Sequence, residues 1–108
     1  MNTIIVKVND ATQTVNQVQV VTQDGRPTVI TAQDKVNYEF LDTAIGHAPN
    51  HIVAKRINND LHVSFEKEGK ESDLVIEGFY NYSDNALLGI VEDCEYYYYV
   101  PDTGEAYD

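Results

Sequence analysis

"IVAKRINNDLHVSFEKEGKESDLVIEGF", Ile52 to Phe79, is the most regular passage of the chain. Leu61, Val63 and Phe65 alternate with His62, Ser64 and Glu66, the period of two that sends successive side chains to opposite faces of a strand. Leu74, Ile76 and Gly78 alternate in the same way with Val75, Glu77 and Phe79. Asn58-Asn59-Asp60 forms one turn cluster, and "EKEGKES" supplies a second turn around Gly69. Ile52 to Ile57 and the two alternating runs therefore predict a three-stranded meander, each strand offering one side to a core.

The same grammar extends in both directions. Thr3 to Val8 is an apolar strand ended by Asn9-Asp10, and Thr14 to Gln23 alternates weakly with Val18, Val20 and Thr22 on one face. Asp24-Gly25 is a tight-turn signal before Thr28 to Ala32, so these two runs predict a hairpin, with Pro27 holding the second strand near an edge. In Val36 to Leu41, Val36, Tyr38 and Phe40 point one way and Asn37 and Glu39 the other. Asp42 to His51, interrupted by Gly46 and Pro49, predicts a loop with at most one helical turn. Leu87 to Val91, a turn at Asp93-Cys94, and Tyr96 to Val100 predict the last hairpin. The spacing of strands and turns gives a single all-β domain, a small antiparallel β-sandwich or open barrel of about eight or nine short strands.

A chain of 108 residues supports one core, burying roughly 65% of the surface its unfolded form exposes. Seven Lys and Arg stand against 18 Asp and Glu, a net charge of −11, which argues against nucleic acid as a partner. The adjacent basic pair Lys55-Arg56 fits a solvated strand face. One cysteine, Cys94, excludes an internal disulfide. The opening "MNTIIVKVND" has neither the basic lead nor the apolar length of a signal peptide or a spanning helix. "PDTGEAYD" at the end consists of turn residues with no closing element, which suggests a fragment of a longer polypeptide.

Four tyrosines in a row, Tyr96 to Tyr99, cannot form one ladder, because Tyr96 and Tyr98 share one side of a strand and Tyr97 and Tyr99 the other. One pair can close a core and the other lie on the outer face. A ligand platform for sugar or peptide, formed by the outer pair beside Tyr80 or Tyr82, is the functional alternative. Aggregation from an open strand edge is a third, which Glu92, Asp93, Glu95 and Pro101 guard against.

Other motifs carry little chemistry. Asp102-Thr103-Gly104 matches the triplet of aspartic proteases, but only four residues follow it, and turn chemistry accounts for Pro-Asp-Thr-Gly. His47 and His51 straddle Pro49 and enclose no Glu, so they do not form the zinc-hydrolase helix motif. There is no Gly-x-Ser-x-Gly elbow and no phosphate-cradling glycine pattern. Acidic clusters at Glu92, Asp93 and Glu95, and at Asp102, Glu105 and Asp108, could bind calcium weakly, but no organised calcium loop contains them. No catalytic residue and no cofactor is assigned.

The segment "RINNDLHVSFEKEGKESDLVIEGFY", Arg56 to Tyr80, resembles the N-terminal prefix-like domain of the large bacterial biofilm-associated adhesins, the Bap, BapA and LapF group. The shared run is a basic-Ile turn, Asn-Asp-Leu, an alternating apolar strand, a Gly turn and a strand ending in an aromatic pair. "TIIVKV" and "GIVEDCEYYYYVPDTG" resemble that family's opening strand and its closing acidic-aromatic hairpin, whereas Asn9 to Ala48 adds little. At the closing hairpin the family pattern leads one to expect Asp-Gly, and this chain has Asp93-Cys94. Cys94 is thus expected to be exposed and able to link two chains on oxidation.

The resemblance implies a non-catalytic domain of a type I-secreted adhesin at the cell surface and outer membrane, without an N-terminal signal. Its role would be retention or presentation of the adhesin and biofilm formation, with the secretion and outer-membrane machinery or other copies of the adhesin as partners. "TAIGHA", Thr43 to Ala48, only half matches the paired-alanine cleavage site of related retention modules, and no cleavage site is assigned. Two alternatives stand beside this role: ligand binding by Tyr80, Tyr82 and the outward pair of Tyr96 to Tyr99, and self-association as pH falls toward the pI near 4.4.

Overall fold

The computed structural model describes residues 3–22, 25–49, 52–65, 72–82, 85–90, 96–99 and 106–107; for 90, 96–99 and 106–107 the description is of the backbone. They form β1 (Thr3–Asn9), β2 (Thr14–Val21), β3 (Thr28–Thr31), β4 (Asn37–Asp42), β5 (Val53–Ile57), β6 (Asp60–Ser64) and β7 (Leu74–Glu77). A single 3₁₀ turn (Phe79–Asn81) follows, then β8 (Ala86–Ile90), β9 (Tyr96–Tyr99) and β10 (Ala106–Tyr107). Two sheets result, one ordered β10-β9-β8-β4-β1-β2 and one ordered β3-β7-β6-β5, and neither closes into a barrel. The architecture is the small β-sandwich that the alternation predicts. Among the described residues no helix is long and apolar enough to cross a membrane.

The core lies between the sheets. Ile4, Val6, Val8, Val20, Tyr38, Phe40 and Leu87 from the large sheet form one buried cluster with Ala54, Leu61, Val63, Leu74 and Ile76 from the small one. Phe40 meets Phe65 edge-on at 5.1 Å across the two layers, and Tyr38 meets Phe79 at 6.0 Å. The Tyr38 hydroxyl accepts a hydrogen bond from the Gln33 N–H. Burial pushes the Tyr38 phenol above its ordinary value, and that amide partly opposes the shift.

The meander forms as expected: β5 pairs antiparallel with β6 through Ala54↔Val63, and β6 with β7 through Val63↔Leu74. Asn58, with φ 57°, makes the reversal between β5 and β6, a left-handed conformation that asparagine tolerates. The turn around Gly69 lies outside the described residues. The last hairpin forms too, with Leu88↔Tyr98 and Ile90↔Tyr96, although its own turn, including Cys94, lies outside them. Residues 43–46 make the one turn of the Asp42 to His51 loop, held by Gly46 N–H on the Asp42 carbonyl. His51 lies outside the described residues.

Four expectations are corrected. β2 and β3 do not form a hairpin. β2 pairs with β1, setting Val20 beside Ile4 and Val18 beside Val6, while β3 joins the other sheet beside β7. Gly25, with φ 85°, does allow a reversal, but burying the apolar faces of both runs against partners with matching alternation outweighs that local signal. The sheets are not wholly antiparallel, because β3 runs parallel to β7 and β4 parallel to β8. β7 ends at Glu77, and Phe79 belongs to the 3₁₀ turn, where it is buried. The last segment does contain a pairing element, since Ala106 pairs with Tyr99 and Tyr107 with Tyr98. Pro27, by contrast, precedes an edge strand as expected.

Candidate functional site

Residues shared by the turn β1–β2 and the neighbouring strands build one cleft of about 470 Å³, lined by Asn9, Asp10, Gln13, Thr14, Asn37, Glu39 and Leu88. Alternation places them: Val8, Tyr38 and Leu87 face the core, so Asn9, Asn37, Glu39 and Leu88 come to the outer side of the large sheet. Asp10 shapes the turn. Its Oδ1 accepts the Thr12 and Gln13 N–H groups at 2.8 and 2.9 Å and the Thr12 hydroxyl at 3.1 Å. The Thr12 N–H, then that of Gln13, holds the Asp10 carboxyl below its ordinary value.

Asn9 is the centre of a second network. Its Nδ2 donates to Asn37 Oδ1 at 3.0 Å and to Glu39 Oε1 at 3.4 Å, and its Oδ1 accepts the Thr14 hydroxyl at 2.6 Å. Glu39 points to the opposite side from Tyr38 and Phe40, as the alternation predicts, and is only 7% exposed there. The polar groups here largely bond to one another, which makes the cleft a joint of β1, β2 and β4 more than a set of unoccupied donors and acceptors.

A second cleft, about 370 Å³, is lined by Gly25, Arg26, Pro27, His62 and Ser72. His62 Nδ1 lies 3.2 Å from the Ser72 hydroxyl, a pairing that sequence analysis missed because ten residues and a turn separate the two. Among the described residues no carboxylate hydrogen-bonds the imidazole, and an activated serine requires such an orienting group together with oxyanion donors. The pair bonds β6 to the approach of β7. Among the described residues, no group of three or more His, Cys, Asp or Glu is placed to hold a metal ion.

The predicted tyrosine sites are distributed as follows. Tyr80 is half-buried, with the Arg56 guanidinium 4.4 Å from its ring centroid and Phe79 edge-on at 5.2 Å. One ring face is thus already covered by a cation. Tyr82 is exposed. Tyr96, Tyr97, Tyr98 and Tyr99 form β9, the strand next to β8, and their side chains lie outside the described residues. Outside them too lie Cys94, the Asp102-Thr103-Gly104 triplet, and the acidic clusters Glu92, Asp93, Glu95 and Asp102, Glu105, Asp108 weighed for calcium. His47 is half-buried, with Nδ1 2.8 Å from the Ala48 carbonyl, a loop histidine as expected.

The corner where β7 meets the 3₁₀ turn is held by the ends of the "RINNDL" and "EGFY" runs. The Gly78 N–H donates to Asp60 Oδ1 at 2.9 Å, the Tyr80 N–H to the Asn59 carbonyl at 3.1 Å, and Arg56 Nε to the Asn58 carbonyl at 2.8 Å. Gly78 has φ 77°, and a Cβ there would meet Asn81 Nδ2 at 3.2 Å. Gly78→Ala is expected to lower stability by about 1–2 kcal/mol, the cost of a side chain in the left-handed region. Urea denaturation measures it, and a midpoint unchanged from the parent would show that this corner tolerates a Cβ. No family model matches the chain, and no curated protein or solved structure matches it.

Proposed function

We propose that the chain is a non-catalytic domain of a type I-secreted biofilm adhesin, a folded block that retains or presents a long surface polypeptide at the outer membrane. The observation carrying this reading is that the residues of the adhesin-like segment are mutually bonded. Arg56, Asn59 and Asp60 at one end of "RINNDLHVSFEKEGKESDLVIEGFY" hold Gly78 and Tyr80 at the other. The internal bonding of the polar cleft fits a domain that acts by being folded, with no substrate to transform.

The mechanism needs only size and cooperativity. The domain measures 36 × 31 × 23 Å, whereas neighbouring strands lie only about 5 Å apart. A channel wide enough for an extended chain holds back the folded block until it unfolds, and unfolding a single domain is an all-or-none event. Binding of a sugar or peptide by tyrosines is the second role considered. On the described surface Tyr82 is exposed for it, and Tyr80 is half-buried with one ring face under Arg56.

The test is made in the cell that produces the protein. The polypeptide carrying this domain is quantified at the cell surface and in the medium, for the parent and for a variant whose core is destabilised by Phe40→Ala. Retention by folding predicts a shift from surface to medium and a loss of biofilm mass. Equal surface amounts with an unfolded domain would exclude the reading.

A further inference from the structure

Among the described residues the two sheets have four edges, and three of them are blunted. β3 has four residues and follows Pro27, β5 carries Lys55 and Arg56, and β10 has two residues. Short strands, prolines and charges are the usual means of keeping strand edges from pairing with other chains. β2 has none of these. Its eight residues, "TVNQVQVV", contain no charge and no proline. They sit within Ala11 to Gln23, the longest uncharged run in a chain whose net charge is −11.

The edge is also accessible and regular. Thr14, Val15, Asn16, Gln17, Gln19 and Val21 are exposed, Val15 by 42% and Val21 by 37%. The single register shift in the β1–β2 pairing lies near the start of β2, opposite Val8/Asn9, which leaves Asn16 to Val21 in unbroken register. The Gln17 N–H donates to the Asn16 side chain at 2.9 Å, so it is directed away from β1. By the alternation of an antiparallel ladder, Gln17, Gln19 and Val21 then turn their backbone groups toward the open side.

We propose that β2 is a self-association edge: two copies of the domain pair their β2 strands antiparallel about a twofold axis at Val18. The large sheet then continues from one copy into the other. The centre of the strand is self-complementary in this register. Val18 opposes Val18 of the second copy and Gln17 opposes Gln19, so valine meets valine and amide meets amide there, while Asn16 opposes Val20 and Val15, the extra residue at the register shift, comes opposite Val21. A twofold contact uses the same patch on both partners and therefore needs such a pattern.

Charge identifies the occupant. Two copies at −11 each repel over most orientations, and pairing through the long uncharged β2 edge apposes no carboxylates. A basic partner would be drawn to the acidic remainder of the surface and would gain nothing from a neutral strip. Salt therefore has a diagnostic sign: screening the repulsion strengthens this dimer, whereas it weakens a complex held by opposite charges. None of this depends on the adhesin reading.

Sedimentation equilibrium of the chain at neutral pH, over a concentration series at low and high salt, tests it. A reversible monomer–dimer equilibrium that tightens with salt is expected. Gln17→Lys/Gln19→Lys, at exposed positions that leave the fold intact by circular dichroism, should abolish the dimer by setting lysine opposite lysine. Gln17→Glu/Gln19→Glu should be monomeric alone and should form a heterodimer when mixed with the lysine variant. A monomer at every concentration and salt overturns the proposal. So does a dimer that survives the lysine substitutions, or a mixture of the two variants that does not associate.

Discussion

Phe40→Ala is expected to lower stability by about 3–5 kcal/mol, the range for removing a fully buried aromatic ring. Phe40 is 0% exposed, in the middle of β4, beside Val6 of β1 and Gly89 of β8. No side chain on Gly89 can move into the vacated space, and the edge-on contact with Phe65 is lost. Domains of this size have about 5–15 kcal/mol of stability in all, so the variant should be marginally folded. Urea denaturation reads the loss as a lower midpoint with an unchanged slope. Phe65→Ala and the double variant isolate the ring–ring part, expected at about 0.5–1.5 kcal/mol. A loss below about 1.5 kcal/mol for Phe40→Ala would mean that the two sheets do not close over this ring.

What could be read in advance followed from how far apart the cooperating residues lie. Leu61, Val63, Leu74 and Ile76 announce both their strands and their inward face, because alternation is local and one buried side fixes the register. The parallel pairs β3–β7 and β4–β8 leave no such trace, since 46 residues separate Thr28 from Leu74 and nothing adjacent marks the partnership. Asp24-Gly25 misled for the same reason: a turn signal reports a reversal of the chain and is silent on which sheet the next strand joins. Gly78 was placed within the strand alternation, but its left-handed conformation ends β7 and turns Phe79 into the core.

The candidate site divides in the same way. Tyr96 to Tyr99 was legible as a strand, and β9 is one. The cover of Arg56 on Tyr80 was not, because 24 residues separate them and a basic residue on a strand reads as solvated. Glu39 was assigned outward on alternation, which is correct for direction but blind to what lies over that side. Likewise, the Asn9 network and the His62–Ser72 bond arise from strand register, which single residues do not encode.

Asp73 shows how much a residue with no motif can carry, and its replacement should be the most damaging polar change in the small sheet. It is 3% exposed, immediately before β7. Oδ2 accepts the Phe65 N–H at 2.8 Å and lies 3.5 Å from the Ser64 hydroxyl. Its own N–H donates to the Val63 carbonyl at 2.8 Å, and its carbonyl accepts the Thr28 N–H at 2.9 Å. One residue thus ties the end of β6 and the start of β3 to the start of β7. The backbone bonds survive substitution, but the carboxylate does not. Asp73→Ala should cost about 2–3 kcal/mol, the value of a charge-assisted bond whose loss strands a half-buried amide. Asp73→Asn keeps an acceptor for that amide while removing the buried charge, so it should cost less than alanine. Hydrogen exchange separates this local effect from general weakening: the Phe65 amide should lose protection in Asp73→Ala and largely keep it in Asp73→Asn. Parent-like protection of Phe65 in the alanine variant would show that the carboxylate does not hold this junction.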